Sequence, residues 1–234
     1  MKSKRVREMA KLYDPVKVYT LVEAIAILKA VPPVKFEQSV EIALMLGLDP
    51  RKSDQGVRGT VSLPNGTGKS ISILVFTKGD KVDEALRAGA DYAGHQELID
   101  KVAAGWTRFD AVIATPDVMR EVGKLGKVLG PRGLMPTPKT GRVTNDVASA
   151  VKELKAGKIE FKNDRHGVIS VLVGKLNFSV EDLIQNIRSL IRSVQKAKPA
   201  TAKGQYLKSL VLSSTMGPGL KIDLRDVETS SVKE

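Results

Sequence analysis

The chain of 234 residues contains no cysteine and only two histidines, His95 and His166. Without thiols it can form no disulfide, and it offers neither a cysteine nucleophile nor a conventional zinc site. The two histidines leave little for general acid–base catalysis near neutral pH. We therefore predict no catalytic residue, no metal site and no cofactor.

Aromatic residues are also scarce, at 4% of the chain with a single tryptophan. Binding along a single nucleic-acid strand uses many aromatic platforms, so this composition disfavours that mode as the main one. No apolar run approaches the ~18 residues that a membrane helix needs. The basic residues 1–7 are not followed by the apolar stretch of a secretory signal, so we expect a cytoplasmic protein without a membrane partner.

Positive charge is abundant, since 38 Lys and Arg residues against 26 Asp and Glu residues give a net charge of +12. A basic protein of this size suggests a polyanionic partner. Contacts to a folded nucleic acid through phosphates, sugars and shape fit the composition better than base stacking does. Simple solubility is the alternative explanation of the charge.

The outer parts of the chain combine capped helices with half-buried strands. Thr20 and Glu23 form a capping box ahead of one helix, and Ser179 caps a longer amphipathic helix. Residues 40–45 alternate between apolar and more polar side chains, as a half-buried strand does. We predict that residues 57–63 return beside that strand as the second arm of a hairpin.

The middle of the chain follows another pattern. Residues 71–76 are almost continuously apolar, which is typical of a parallel strand covered on both faces. Further strands are predicted at 90–93 and 109–114, and helices at 81–88, 96–104, 118–124 and 147–155. Asp117 and Asp146 are the expected caps of the last two helices. Strands that alternate with helices predict a small open parallel sheet.

These patterns predict an α+β domain interrupted by a βαβ-type domain. The outer domain would comprise residues 1–66 and 158–234, and the inserted domain residues 67–157. The outer segments carry net charges of +4 and +5 and the inserted segment +3, so +9 of the +12 lies in the outer domain. We therefore expect the polyanion to bind there.

The turn at residues 213–219 is the most distinctive candidate site. Two strand-like segments flank it, and Gly217, Pro218 and Gly219 supply turn residues. Met216 stands where a side chain normally points to water, and such a side chain suits contact with a ribose or base face. An ordinary turn with a partly buried methionine is the alternative. Phe36 likewise reads either as a core residue or as an exposed one at the start of a strand.

A nucleotide-binding two-domain enzyme is the alternative function. Residues 64–70 look like a phosphate-binding loop, but the position that needs the first glycine is Leu63, and a strand rather than a helix follows. The first strand of the inserted domain leads into no G-x-G-x-x-G fingerprint. His95 stands isolated in the sequence, and His166 lies in a basic turn. We therefore predict that the chain is not an enzyme.

Several longer motifs carry a family resemblance. Residues 130–138 read GPRGLMPTP, residues 214–218 read STMGP, and residues 57–64 read VRGTVSLP. Shorter matches are ATPD at 114–117 and GKIEF at 157–161. In their order along the chain, and across essentially its whole length, these motifs resemble those of the bacterial ribosomal protein L1 family.

The resemblance implies a protein of the mobile stalk of the large ribosomal subunit. Its implied fold is a split α+β domain, a ferredoxin-like β-α-β sandwich, interrupted by an inserted Rossmann-like α/β domain. Its implied partners are large-subunit rRNA, the exit-site tRNA whose release it assists, and the messenger RNA of its own operon, which the free monomer would repress. The motif positions that correspond to the family's RNA-binding residues are Lys35, Phe36 and Ser39 on one strand, Thr215, Met216, Gly217 and Pro218 at the turn beside it, and Asp164, Arg165 and His166.

Overall fold

The computed structural model describes residues 4–228. The strands are β1 (Val18–Tyr19), β2 (Ser39–Leu46), β3 (Arg58–Ser62), β4 (Ile73–Phe76), β5 (Tyr92–Gly94), β6 (Ala111–Ala114), β7 (Lys158–Lys162), β8 (Val168–Lys175), β9 (Leu207–Ser214) and β10 (Leu220–Ile222). The α-helices are α1 (Lys4–Met9), α2 (Leu21–Ala30), α3 (Lys81–Arg87), α4 (Gln96–Ala103), α5 (Met119–Val122), α6 (Gly126–Leu129), α7 (Val147–Lys155), α8 (Val180–Lys196) and α9 (Leu224–Glu228). Short 3-10 turns occupy Ser53–Gln55, Pro116–Val118, Gly123–Leu125 and Pro138–Thr140.

The chain divides into two compact units. The first unit comprises Met1–Gly68 and Ile159–Glu234, and the second unit comprises Lys69–Lys158. The first unit is therefore discontinuous in sequence, and the second is a single segment inserted into it. Within the part of the chain that the structure describes, no helix is both long and apolar enough to cross a bilayer.

The first unit is built on a five-stranded sheet, here called the main sheet, with the order β1-β10-β9-β2-β8. The strand β2 pairs antiparallel with both β8 and β9, and β9 pairs antiparallel with β10. The short β1 is parallel to β10 at one edge. A separate two-stranded sheet joins β3 to β7.

The helices α2 and α8 bury their apolar faces in the core of the first unit. The predicted capping box of α2 is confirmed, since the Thr20 hydroxyl accepts the Glu23 N–H at 3.3 Å and the Glu23 carboxylate accepts the Thr20 N–H at 3.2 Å. The predicted cap of α8 is confirmed too, because the Ser179 hydroxyl accepts the Asp182 N–H at 3.0 Å. Local capping signals thus fix where both helices begin.

The predicted hairpin between residues 40–45 and 57–63 is wrong. β3 does not pair with β2, whose neighbours are β8 and β9. β3 pairs instead with β7, and Arg58 forms an ion pair with Glu160 of that strand at 2.6 Å. Both β3 and β2 therefore take their partners from the chain beyond residue 157.

The second unit contains a three-stranded parallel sheet with the order β5-β4-β6. All residues of β4 and β6 are buried. On one face, Leu74 and Phe76 pack with apolar residues of α4. On the other face, Ile73 and Val75 pack with residues of α3 and α7. Helices on both faces explain why these strands are apolar at every position.

Predictions for the later part of the second unit are mixed. The predicted cap of α7 is confirmed, because an Asp146 carboxylate oxygen accepts the Ser149 N–H at 3.0 Å. The prediction that Asp117 caps a helix over 118–124 is wrong, since Asp117 lies within a 3-10 turn that begins at Pro116. Short α and 3-10 segments alternate from there to Leu129.

The connection that leaves the first unit is held by a buried asparagine of α8. The Asn186 side-chain amide donates to the carbonyls of Gly66, at 3.0 Å, and Val173, at 2.8 Å, and its oxygen accepts the Asn65 N–H at 3.1 Å. Asn186 is fully buried, and these bonds satisfy both ends of its amide. The connection therefore stays attached to the first unit at least as far as Gly66.

Candidate nucleic-acid interface

The turn between β9 and β10 presents a methionine to solvent. The Gly217 N–H donates to the Ser214 carbonyl at 2.9 Å, and Met216 is 49% exposed, as predicted. A Cβ at residue 217 would lie 2.1 Å from the Ser214 hydroxyl oxygen, so a larger residue there would have to displace the Ser214 hydroxyl. Pro218 is buried, so it does not form part of the exposed surface of the turn.

Thr215 is bound to Ser39 on the neighbouring strand. The Thr215 N–H donates to the Ser39 carbonyl at 3.0 Å, and the Ser39 N–H donates to the Thr215 hydroxyl oxygen at 2.9 Å. That oxygen also lies 3.3 Å from the Ser39 carbonyl. These bonds continue the pairing of β2 with β9 past the end of β9. The hydroxyl oxygen thus accepts one bond internally, while its proton can turn toward Ser39 or outward.

Gln38 holds the main chain at Met216, and sequence reasoning missed it. Its side-chain oxygen accepts the Met216 N–H at 3.1 Å, and its carbonyl accepts the Leu176 N–H at 2.9 Å. Gln38 is only 4% exposed. Gln38 lies two residues before Val40 and faces the core as Val40 does. The sequence could have indicated Gln38 as a polar residue at a core-facing position.

Lys35 and Phe36 precede β2 instead of lying on it. The prediction that they share one strand with Ser39 is therefore wrong, because β2 begins at Ser39 and residues 35 and 36 form a bend. Phe36 is 53% exposed, so it is not a core residue. The bend still leaves two exposed side chains, one apolar and one cationic, within four residues of the Ser39–Thr215 contact.

A second cation at this position was invisible in the sequence. Lys175, the last residue of β8, pairs with Ser39 across the sheet, and its ammonium group lies 3.4 Å from the Ser39 hydroxyl oxygen. Only the register of β8 against β2 brings it here. Lys175 and Lys35 are thus the cations of what we call the first end of the main sheet, together with Phe36, Ser39 and Thr215 to Gly217.

The turn formed by Asp164, Arg165 and His166 is organised by its aspartate. One Asp164 carboxylate oxygen accepts the N–H groups of His166 and Val168, both at 2.8 Å. These bonds, that of Val168 first, lower the pKa of the Asp164 carboxyl below its usual value. The carboxylate is thus an internal acceptor, and it is Arg165 and His166 that offer donors to a ligand.

This turn lies at the opposite end of the main sheet, which we call the second end. Val168 pairs with Met45, and the Gly167 carbonyl accepts the Leu46 N–H at 2.9 Å. The eight residues of β2 separate Leu46 from Ser39, a distance of roughly 23 Å at ~3.3 Å per residue. The structure therefore divides the predicted site residues into two groups.

A shallow cavity of about 370 Å³ adjoins the second end. Its lining contains three cations and one carboxylate, and it comprises Pro50, Lys52, Gly56, Lys162, Asn163, Asp164 and Arg165. Because Asp164 is already engaged by main-chain donors, the cations dominate the field that a ligand meets there.

An open face of the main sheet joins the two ends. Along β2 the buried side chains alternate with half-buried or exposed ones. On the outward face, Ala43 pairs with Val211 of β9, and Met45 pairs with Ser209. The side chains of Ala43 and Ser209 are short, so a ligand backbone can approach β2 closely between the exposed side chains of Glu41 and Met45.

The carboxyl end of the parallel sheet is where a nucleotide enzyme of this architecture would bind its substrate. His95, which follows β5, is not isolated, because its Nε2 lies 2.6 Å from a carboxylate oxygen of Glu121. Lys78, which follows β4, reaches the other oxygen at 3.0 Å. The Lys78 bond, ahead of His95, lowers the pKa of Glu121. Within residues 4–228 no group of three or more His, Asp or Glu residues could hold a metal ion.

Comparison with known proteins identifies the family. Residues 28–218 match the model of the ribosomal protein L1p/L10e family. The chain is 69% identical to the large ribosomal subunit protein uL1 of Protochlamydia amoebophila, over 98% of this chain and 97% of that protein. It is 59% identical to the protein of the same name from Chlamydia pneumoniae, over 97% and 98% of the two chains. The chain therefore belongs to the ribosomal protein L1p/L10e family and is a structural constituent of the large ribosomal subunit rather than an enzyme.

Proposed function

We propose that the first unit binds large-subunit rRNA through the first end of the main sheet. The observation that carries this proposal is that two large apolar side chains, Phe36 and Met216, remain about half exposed within three residues of the Ser39–Thr215 contact. Exposed apolar side chains held by a rigid polar contact suit the faces of riboses and bases. The cations Lys35 and Lys175 would neutralise phosphates and so contribute affinity without sequence information.

Thr215 gives this surface a means to prefer RNA over DNA. Its hydroxyl oxygen accepts the Ser39 N–H, and its proton can be offered to a ribose 2′-hydroxyl. The position of the hydroxyl is fixed by that bond and by the main-chain bond beside it. A 2′-hydroxyl that docks there would therefore meet a hydroxyl whose oxygen is fixed in place and whose proton can turn toward it.

The second end is proposed to contact the same RNA. Arg165 and His166 and the cations of the adjoining cavity offer phosphate contacts roughly 23 Å from Thr215, by the length of β2. A folded RNA that lies along the open face would reach both ends. This arrangement favours a structured RNA over a short single strand.

Three further roles are proposed from the family resemblance. These are assistance in the release of exit-site tRNA, repression of the chain's own operon messenger RNA by the free monomer, and residence in the cytoplasmic ribosome. Both RNAs would bind the same surface of the first unit, so rRNA and messenger RNA would compete for it. Adding unlabelled rRNA fragment to a complex of the chain with its messenger leader should then release the messenger.

We also propose the two-domain division predicted from the sequence. It assigns RNA binding to a split α+β domain of residues 1–66 and 158–234, and it describes 67–157 as a Rossmann-like insertion. The division is supported by the compact units, which change at Gly68/Lys69 and Lys158/Ile159. The parallel order of β5, β4 and β6 supports the Rossmann-like description.

The test measures binding of the full chain to a stalk-region rRNA fragment across a salt series, with bulk tRNA and duplex DNA as competitors. Replacing Phe36 or Met216 by Ala should raise Kd about tenfold, which is within the usual cost of losing one base contact. Thr215→Val should raise Kd by a similar factor, because both the internal bond and the RNA bond are lost.

Leu86→Ala is the matched control for Met216→Ala, because Leu86 is 46% exposed but lies on α3 of the second unit. Thr215→Ser controls for Thr215→Val, since it keeps the hydroxyl. If the Phe36, Met216 and Thr215 variants bind like the parent chain, the first end is not the RNA site. If the rRNA fragment loses its affinity as salt is raised and duplex DNA competes as well as RNA does, charge alone accounts for the interaction.

A further inference from the structure

The second unit carries an aromatic pocket. The pocket has a volume of about 490 Å³ and is lined by Tyr92, Leu98, Lys101, Ala104 and Trp106. Tyr92 belongs to the edge strand β5 and is 39% exposed. Trp106 is the chain's single tryptophan and is half-buried.

The end of α4 fixes the position of Trp106. The Gly105 N–H donates to the Val102 carbonyl at 2.9 Å, and the Trp106 N–H donates to the Lys101 carbonyl at 3.1 Å. Gly105 has a φ of +97°. These features together form a Schellman motif, in which a left-handed glycine turns the chain and satisfies the last carbonyls of the helix. Trp106 is therefore held on rigid backbone at the mouth of the pocket.

Two neighbouring rings pack against the indole. The Tyr92 ring meets Trp106 edge to face, with centroids 4.8 Å apart, and Phe109 lies 5.4 Å away in a tilted arrangement. Phe109 is buried in the core of the second unit. Because Trp106 is only half-buried, part of the indole remains available to the pocket.

One cation lines the pocket, and two more lie close to Trp106, either along the chain or through a bond to its neighbour. Lys101 forms part of its wall, Arg108 is exposed two residues after Trp106, and the Arg132 guanidinium donates to the Thr107 hydroxyl. Two nearby carboxylates are engaged elsewhere. Asp91 accepts the Ile73 N–H at 2.9 Å, and Asp110 accepts the Ser72 N–H at 3.1 Å.

An aromatic surface with a cation in its wall suits a flat ring that carries a phosphate beside it. An apolar peptide side chain would use the rings but gain nothing from Lys101. We propose that this pocket receives one unstacked base of a single-stranded RNA segment, with the flanking phosphate against Lys101. The site lies wholly within the second unit and does not depend on the rRNA surface proposed for the first unit.

The experiment uses the full chain and the fluorescence of Trp106, which is the chain's entire tryptophan signal. The probe is a hexamer of adenylate. It should quench the fluorescence saturably, since stacking places a base against the indole. An abasic hexamer with the same phosphates should not quench at the same concentrations, and neither should a duplex that contains the adenylate strand. Equal quenching by the abasic hexamer, or none by the adenylate hexamer, would overturn the proposal.

Variants separate the pocket from general charge. Lys101→Glu and Tyr92→Ala should each raise the Kd for the hexamer about tenfold, while Tyr92→Phe should leave it unchanged because only the ring is used. Lys152→Glu is the matched charge control, since α7 packs on the opposite face of the parallel sheet from α4. An equal loss of affinity in Lys152→Glu would overturn the assignment.

A further variant keeps the two proposals distinguishable. Thr215→Val should weaken binding of the rRNA fragment and leave the hexamer's quenching of Trp106 intact. Loss of the quenching in Thr215→Val would place the hexamer on the first unit and overturn the pocket. Quenching that persists while rRNA binding is unaffected by Thr215→Val would support the pocket and contradict the proposed rRNA site.

Discussion

The strands β2 of the first unit and β4 of the second unit both lie inside their sheets, yet they bury their side chains differently. In β2 the residues that face the helices are buried, and the residues between them are half-buried or exposed. In β4 every residue is buried. The difference follows from the connections, because parallel strands need crossover helices that cover both faces, whereas antiparallel strands leave one face open.

This comparison indicates where each unit can bind a large ligand. The first unit offers a whole sheet face, bounded by the two clusters of predicted site residues. In the second unit, helices cover both faces of the sheet. A ligand must therefore bind at an edge or an end of that sheet. The aromatic pocket, between the edge strand β5 and the end of α4, is such a place.

The largest expected effect comes from neighbouring residues on the two strands. Leu74→Ala and Val75→Ala in β4 should each lower the free energy of unfolding by about 2–4 kcal/mol, because adjacent side chains enter cores on opposite faces. In β2, Leu44→Ala should cost about 3 kcal/mol, whereas Met45→Ala should change stability by under ~0.5 kcal/mol. Urea unfolding checks all four variants, with Trp106 fluorescence reporting on the second unit and far-UV circular dichroism on the whole chain. A Val75→Ala variant as stable as Met45→Ala would break the comparison.

A smaller effect is expected at the point where the first unit passes into the second. Asn186→Ala leaves the Asn65 N–H and the carbonyls of Gly66 and Val173 without their partner, which should cost about 2 kcal/mol. Unfolding of the first unit should move to lower urea, while the transition reported by Trp106 should stay in place.

Lys196→Ala is the control for Asn186→Ala, since Lys196 is an exposed residue at the far end of the same helix. It should cost no more than ~0.5 kcal/mol. A shift of both transitions in Asn186→Ala would contradict this prediction, because it would mean that the two units unfold together.

The smallest effect concerns acid pH at the second end of the main sheet. The pKa of Asp164 is lowered by the N–H groups of Val168 and His166, so the ionised carboxylate stabilises the folded turn. This contribution is complete above the unfolded pKa of about 3.9 and is lost as the pH falls through the lower folded value. Asp164→Asn, which keeps an acceptor oxygen without the charge, should remove this part of the acid sensitivity.

The measurement for Asp164 is the urea midpoint between about pH 5 and pH 2. The parent chain should lose more stability over this range than Asp164→Asn does. Parallel curves for the two proteins would show that the carboxylate contributes nothing specific to the turn.

Signals confined to a few neighbouring residues predicted structure well. The capping box at Thr20, the caps at Asp146 and Ser179 and the alternation in β2 appear in the structure as expected. Each depends on contacts between residues a few positions apart, which the sequence displays directly. Pairing between distant segments was not predictable in this way, so β3 was given the wrong partner.

The candidate site shows the same limit. The turn alone left open whether Met216 is exposed or partly buried, and the family resemblance indicated Met216, Thr215 and Phe36. Lys175 was missed because its proximity to Ser39 depends on the register of two strands more than a hundred residues apart. Nor could the sequence show that the Asp164 turn lies at the far end of the sheet.

The discontinuous first unit has a consequence for its synthesis. β1, β2 and β3 are all made before the second unit, but their partners β10, β8, β9 and β7 all begin at residue 158 or later. The nascent N-terminal segment therefore cannot complete its sheet until the ribosome has translated the whole insertion, which takes about 5–20 s for ninety residues at typical rates. The second unit can fold first as one continuous segment. Thr215 and Met216 emerge near the very end, so a prematurely terminated copy could not occupy the proposed rRNA site in place of a finished one.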